Sequence, residues 1–237
     1  MDPYAWSWNP EALLVIPVLS VAYVLAARAF PAPRWRVVCF AAAMILLLAV
    51  TVTPVETIGL NYLLTLHLVQ NVVLAEWAPA LAVLGIPPAL AAVLPRVPAV
   101  PALLLWLVNY AVWHLPWLYD TALRNPHTLL HLEHALYFAT GVLLWWPVVH
   151  GARPPGFKAG YLFAAFAAAS PIGLLLALIP DAIYDFYVDA PDRLWGLSAL
   201  ADQQIAGVTM ALEQATVFFA AFALYVARFF REQDALG

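Results

Sequence analysis

Seven runs of predominantly apolar residues constrain the fold of this chain more than any other feature. A helix that crosses a bilayer needs about 20 apolar residues, and these runs are continuous, unlike the alternating pattern of a barrel strand. The sequence therefore predicts an all-α protein: an integral membrane bundle of seven transmembrane helices, formed by a single domain over residues 1–237. The predicted spans are Ala12–Ala27, Val37–Thr53, Ile58–Leu84, Ala99–Leu115, Thr128–Val149, Gly160–Ile179 and Ile205–Ala227.

The composition supports a membrane protein and excludes several other classes. Apolar residues make up 65% of the chain and charged residues 10%, against about 25% charged residues in typical soluble domains. The mean hydropathy of +0.86 leaves too little polar surface for a water-soluble enzyme, and a net charge of −4 argues against a nucleic-acid-binding protein. The single cysteine, Cys39, permits no intramolecular disulfide. The lipid bilayer is therefore an expected partner, and nucleic acid is not.

The distribution of lysine and arginine predicts the orientation of the spans. Cytoplasmic loops of membrane proteins carry an excess of these residues, and only Arg124 and Arg193 fall on the less basic side, which is acidic instead. The N-terminus is therefore predicted outside and the C-terminus in the cytoplasm. The basic side holds Arg28, Arg34, Arg36, Arg96, Arg153, Lys158, Arg228 and Arg231.

Most of the histidines lie on the predicted outer side of the membrane. His67 is in the outer half of the third span and His114 ends the fourth, while His127, His131 and His134 open the fifth. His131 and His134 are one helical turn apart, so their imidazoles can converge on one point. Ionisable groups in membrane spans are costly and are functional candidates by default. The outer histidines are therefore the first candidates for a site.

A metal site is the leading interpretation of these histidines. A carboxylate, Asp202, opens the seventh span at the same level, and imidazole and carboxylate ligands without thiolate suit copper(II), zinc or iron. The alternative is that the histidines are solvated or hydrogen-bond between helices. This alternative best fits His127, the histidine nearest the loop. The candidate ligands are His67, His114, His131, His134 and Asp202, and the candidate supporting residues are Gln70, Asn71, Asp120, His127, Glu133 and Gln203.

Two further acids, Glu76 in the third span and Glu213 in the seventh, lie at membrane depth. Asp202, Thr209 and Glu213 fall within about 40° of one another on a helix and form a polar stripe that descends from the outer surface. No lysine or arginine lies at membrane depth to pair with Glu76 or Glu213, so at least one of them is expected to carry a proton at neutral pH. Two interpretations stay open: a proton or ion path, and hydrogen bonding between helices.

Several short motifs follow one another in the order of a known family. They are HLVQ from residue 67, WHLPWLYD from residue 113, HLEH from residue 131 and ADQQ from residue 201. Together they resemble the seven-helix CtaG family of cytochrome c oxidase (caa-type) assembly factors, from about residue 58 onward. The resemblance implies a multi-pass protein of the bacterial cytoplasmic (inner) membrane. The family's polar motifs match His67, Gln70, His114, Asp120, His131, Glu133, His134, Asp202 and Gln203.

The chain departs from the family pattern at three positions. Asn71 stands where the family usually has the second histidine of an HxxQH motif. Glu76 and Glu213 stand where an apolar residue and a proline are more usual. Because the second histidine is missing, the chain lacks one candidate ligand of any metal site that the resemblance implies.

The resemblance implies a role in the assembly of a cytochrome c oxidase. The outer histidines then imply the binding or delivery of copper, with zinc or haem as alternatives. The expected partners are haem–copper oxidase subunits or another respiratory membrane complex, and no enzymatic activity is expected. Two other functions remain open. One is a haem- or metal-binding redox or accessory subunit of a respiratory complex, with paired histidines as axial ligands; the other is a structural or proton-conducting membrane protein without metal.

Overall fold

The fold consists of α-helices and two short π-helical segments within residues 2–235, which the computed structural model describes. The π-helical segments are Val73–Trp77, between α4 and α5, and Pro126–Leu130, before α9. The helices are α1 (Pro10–Ala29), α2 (Arg34–Val52), α3 (Pro54–Asn61), α4 (Leu64–Val72), α5 (Ala78–Gly85), α6 (Pro88–Val93), α7 (Ala99–Trp113), α8 (Pro116–Arg124), α9 (His131–Val149), α10 (Pro155–Leu178), α11 (Asp185–Val188) and α12 (Ala199–Asp234).

Six helical stretches within the described residues are long and apolar enough to cross a membrane. A seventh span exists if α7 and α8, which are bent by 76° at the break before Pro116, cross as one broken helix. The predicted all-helical membrane bundle is thereby confirmed. Its orientation stays a prediction, and Gly237 lies outside the described residues. The six stretches are Ala12–Ala29, Arg34–Val52, Leu64–Gly85, Pro126–Val149, Pro155–Leu178 and Ala199–Asp234.

The third predicted span, Ile58–Leu84, is wrong at its outer end. α3 ends at Asn61 and a new helix begins at Leu64. The backbone N–H groups of Leu64 and Thr65 donate to the carboxylate of Asp202 at 2.7 and 3.1 Å. Because the first N–H groups of a helix need acceptors from elsewhere, this carboxylate stabilises the start of α4. The capping acid lies 138 residues further along the chain, so local hydropathy could not reveal the break.

The stretch from α4 through α5 forms the centre of the bundle. Its membrane-spanning window is 72% buried, whereas that of α1 is 11% buried. α5 packs against α2 and α9, and α4 packs against α12. Polar side chains on this central stretch are therefore enclosed by other helices and kept away from lipid.

The π-helical turn in the central stretch lies where the α9 backbone approaches it closely. Pro79 has no N–H, so the Ala75 carbonyl lacks its usual donor four residues on. Gly141 of α9 packs directly against the Ala75 carbonyl oxygen and the Pro79 ring, where a side chain would collide. A π-helical turn widens the helix locally and is often found at functional sites. Here it carries Glu76, which is fully buried.

Candidate functional site

Three buried histidines from three helices form the candidate site, which we call the histidine centre. His67 lies on α4, His114 caps the end of α7 and His134 lies on α9. Their relative exposures are 0%, 7% and 8%. The ring centroids of His67 and His134 are 6.1 Å apart, and the ring of Tyr119 lies 5.3 Å from that of His67 and 6.3 Å from that of His114. The site thus draws on α4, α7, α8 and α9.

Several polar atoms of the histidine centre have no hydrogen-bond partner. Both ring nitrogens of His67 and the Nε2 atoms of His114 and His134 are buried and unpartnered, as are the hydroxyls of Tyr119 and Tyr137. Buried polar groups in proteins are nearly always hydrogen-bonded, because an unmade bond costs about 1–3 kcal/mol. A concentration of such atoms at one place is typical of a site that binds a ligand.

The hydrogen bond of His114 determines which of its nitrogens is free. Its Nδ1 lies 2.7 Å from the backbone carbonyl oxygen of Tyr110. A carbonyl only accepts, so Nδ1 carries the proton and donates it. In the neutral ring, Nε2 then holds the free lone pair. Such a backbone contact fixes the tautomer of metal-binding histidines in general, so His114 is oriented as a ligand would be.

The two remaining outer histidines lie elsewhere. The sequence predicts that His131 and His134 converge, and the structure places His134 beside His67 but His131 beside His127, with ring centroids 6.1 Å apart. His127 and His131 line a cleft of about 180 Å³ together with Glu56. Because the cleft is open to the surface, these two histidines form a group separate from the histidine centre.

The histidine centre has suitable donor atoms for a metal ion but not a completed coordination geometry. In the part of the chain that the structure describes, no three His, Cys, Asp or Glu side chains are arranged to hold a metal ion. Neutral imidazoles with free lone pairs are nevertheless the form that binds copper or zinc. The donor chemistry therefore fits such an ion, with His67, His114 and His134 as the residues that would hold it.

Asp202 bonds the start of α4. Besides the N–H groups of Leu64 and Thr65, its carboxylate accepts the Thr65 hydroxyl at 2.7 Å. Both carboxylate oxygens are therefore engaged there. The sequence predicts Asp202 among the metal ligands, and the structure adds this capping role.

Asp120 and Gln203 likewise bind backbone groups. Asp120 accepts the N–H groups of Asp185 and Phe186, both at 3.1 Å, and so holds the start of α11. The Gln203 side chain accepts the N–H of Ile183 at 2.8 Å and donates to the carbonyl of Asp181 at 3.1 Å. Both residues therefore fix the loop between α10 and α12 and contact no histidine ring through these bonds.

Asn71, the departure from the family pattern, is paired with Glu133. Its amide donates to the Glu133 carboxyl at 3.2 Å, and both side chains are buried. The sequence predicts Glu133 as a supporting residue that orients another helix or a ligand histidine, and this bond joins α9 to α4.

Gln70 is bonded to an acid that sequence reasoning missed, Glu56. The Gln70 amide donates to the Glu56 carboxyl and, at 2.8 Å, to the Val50 carbonyl. Glu56 is on α3, between the second and third spans, and is 2% exposed. Burial, partly offset by hydrogen bonds from Gln70 and Asn9, raises the pKa of Glu56 from 4.5 to about 7. The folded protein therefore favours the protonated form of this carboxyl.

We expect Glu56→Gln to remove a pH dependence of stability. Because the folded-state pKa of Glu56 is raised, the contribution of this residue to the free energy of unfolding is fully present below pH 4.5. It is lost as the pH rises to about 7. The loss amounts to roughly 3 kcal/mol. Unfolding midpoints in detergent should fall between about pH 5 and about pH 8 in the parent protein, and should fall less in Glu56→Gln. The exposed control Asp192→Asn should behave like the parent, and an unchanged pH dependence in Glu56→Gln would contradict this role.

The two intramembrane acids meet each other. Glu76 and Glu213 form a side-chain hydrogen bond, although they come from the central stretch and from α12. Glu213 accepts the indole N–H of Trp77 at 3.1 Å. Glu76 accepts the amide of Gln214 at 3.1 Å, and the same amide donates to the Tyr110 hydroxyl at 2.7 Å. These bonds bridge three helices at membrane depth.

Glu56, Tyr110 and Gln214 are the polar residues of these two networks that sequence reasoning missed. The sequence contains a feature that could have pointed to two of these residues. Glu56 is an acid between two spans directly after Pro54, and Gln214 adjoins Glu213 at membrane depth. Tyr110 carries no such signal, because a tyrosine in an apolar helix is typical of ordinary packing.

The fold and the site define a class: a multi-pass α-helical membrane protein with a buried histidine centre at the junction of its central helices. The family model described as cytochrome c oxidase caa3 assembly factor (Caa3_CtaG) matches residues 19–232, most of the chain. The chain belongs to this family, as its motifs predict. No curated protein matches it, and no solved structure does.

Proposed function

We propose that this protein supports cytochrome c oxidase assembly by binding copper at the histidine centre and delivering it to the oxidase. The single observation that supports the proposal most is the set of buried, unpartnered ring nitrogens on His67, His114 and His134. A structural role alone would leave these atoms without compensation for their lost hydration. Copper is the cargo in this scheme, and the protein catalyses no reaction on it.

Each residue of the histidine centre would contribute differently to binding copper. His114 is held by its bond to the Tyr110 carbonyl and presents Nε2. His67 has two unpartnered nitrogens, and His134 presents Nε2. The ring of Tyr119 lies 5.3 Å from that of His67 and 6.3 Å from that of His114, and its unpartnered hydroxyl offers an oxygen donor. Ligands held on separate helices suit transfer, because each of them can be released separately.

The outer cleft is the natural route of access under the same proposal. His127 and His131 line it, and the cleft lies one helical turn before His134 on the chain. If the outer side is extracytoplasmic, as the basic residues predict, copper would be taken from that side. The partners would be oxidase subunits in the bacterial cytoplasmic membrane.

The test is the metal content of the purified protein. The parent protein, incubated with copper and freed of excess, should retain about one equivalent by elemental analysis, and His67→Ala with His134→Ala should retain none. The matched control is His150→Ala, since His150 is half-buried and bonds the Val83 carbonyl at 3.0 Å, away from the centre. Undiminished copper in a folded double variant would refute the copper site.

The same purified protein tests a second candidate function, which is haem binding. Paired histidines from two helices can also bind haem, and His67 and His134 are such a pair. A Soret band in the purified protein that disappears in His67→Ala would favour the haem-binding subunit over copper delivery.

A further inference from the structure

The hydrogen-bonded acids Glu76 and Glu213, which we call the carboxyl pair, lie near the middle of the membrane. Glu76 is 12 residues beyond the start of α4, or about 18 Å along the helix axis, within a hydrocarbon layer of about 30 Å. Neither acid belongs to the histidine centre, and the proposed copper function does not use them. A role for the pair must therefore come from its own surroundings.

Three oxygens at the carboxyl pair are buried and accept no N–H or hydroxyl group of the surrounding residues. They are Oε2 of Glu76, Oε2 of Glu213 and Oε1 of Gln214. Gln214 is fully buried, and its amide nitrogen donates to Glu76 at 3.1 Å. A hydrogen bond between the two carboxyls requires a proton on one of them, and the Oε2 atoms are the carboxyl oxygens left to share it.

Among the described residues, the surroundings of the pair supply no fixed positive charge. The groups that act on the two carboxyls there are each other, Gln214 and Trp77. Tyr110 of α7 also faces the pair, and its hydroxyl accepts the Gln214 amide. Two carboxylates in contact cannot both be ionised, and in such pairs a proton is shared.

The two acids differ in their access to the outside of the bundle. Glu76 is fully buried on the π-helical turn. Glu213 is half-buried, and its partner Trp77 is 38% exposed at the lipid-facing surface. Glu213 is therefore the acid of the pair that a lipid-soluble reagent can reach. A proton on the pair cannot continue toward the histidine centre through Gln214, because the same amide nitrogen donates to both Glu76 and Tyr110.

We propose that Glu76 and Glu213 form a proton-binding site in the membrane, in which one proton is shared by the two carboxyls. Glu76 holds the negative charge that retains the proton, and Gln214 orients Glu76. No bond other than an O–H bond is made or broken: the shared proton passes between an oxygen of Glu213 and an oxygen of Glu76. The site is independent of copper binding.

The experiment is labelling of the intact protein in detergent with a hydrophobic carbodiimide, which reacts with protonated carboxyls in apolar surroundings. Peptide mass spectrometry should find the adduct on Glu213 and lose it in Glu213→Gln. In Glu76→Gln, which keeps the side-chain shape, the pH midpoint of Glu213 labelling should fall by about one pH unit or more, because the neighbouring negative charge is gone. An infrared titration of the protonated carboxyl band in the parent protein gives the same midpoint without any variant.

A control variant and a competing cation distinguish a shared proton from independent carboxyls and from a bound metal ion. Glu232→Gln, an exposed acid on the same helix, should leave the labelling unchanged. An absent Glu213 adduct, or the same labelling midpoint in folded Glu76→Gln as in the parent, would overturn the proposal in favour of independent carboxyls that only pack. Protection of Glu213 by Na⁺ at constant pH would also overturn it, since the occupant would then be a metal cation.

Discussion

Asp202→Ala is expected to lower the free energy of unfolding by about 3 kcal/mol or more. The substitution leaves the buried N–H groups of Leu64 and Thr65 without acceptors, and each unsatisfied buried group costs about 1–3 kcal/mol. The end of α4 that carries His67 should loosen as a result. The measurement is chemical or thermal unfolding in detergent, with protection of α4 amides followed by hydrogen exchange.

Two substitutions test the reason for this loss. Asp202→Asn keeps one acceptor oxygen and should lose roughly half as much stability. Asp192→Ala removes an exposed acid from the segment between α11 and α12 and should change stability by less than about 0.5 kcal/mol. Equal stability of Asp202→Ala and the parent would mean that α4 begins without this cap.

Gly207→Leu is expected to prevent normal packing of α10 against α12. A Cβ atom at position 207 would lie 2.5 Å from the Ala177 nitrogen and 2.6 Å from the Gly173 carbonyl oxygen, so the backbones themselves would have to separate. Small residues at such crossings allow close approach in membranes, and overpacking costs about 1–3 kcal/mol or more. We expect a large drop in the yield and thermal midpoint of the folded protein.

Gly160 provides the matched control for this prediction. It lies on α10 as Gly173 does, but a Cβ there meets nothing within 4 Å. Gly160→Leu should therefore be tolerated, and Gly160→Ala should gain up to about 1 kcal/mol from helix propensity. Similar losses of stability from substitutions at positions 160 and 207 would show that close packing of α10 and α12 at Gly207 is not needed.

The fold was largely predictable because its main determinant is local. A run of apolar residues specifies a span wherever it occurs, and the predicted spans match helices of the structure. The break before Leu64 was not predictable, since the group that stabilises it is Asp202 on a distant helix. The bend before Pro116 is signalled by the proline, but its angle of 76° depends on packing.

The candidate site was predictable in its residues more than in its arrangement. Helix periodicity places His131 and His134 on one face, yet neighbouring helices decide which ring meets His67. His134 does so, and His131 joins His127 in the cleft. Likewise, each intramembrane acid is conspicuous alone, but their contact depends on how α12 lies against the central stretch.

The long-range cap of α4 determines when, during biogenesis, the start of this helix is stabilised. The acceptor for the first N–H groups of α4 is made 138 residues after them, which corresponds to roughly 7–28 s of translation at about 5–20 residues per second. Until α12 enters the bilayer, the nascent chain holds the start of α4 without its acceptor. The helix that carries His67 therefore gains this cap only after the last span has been made.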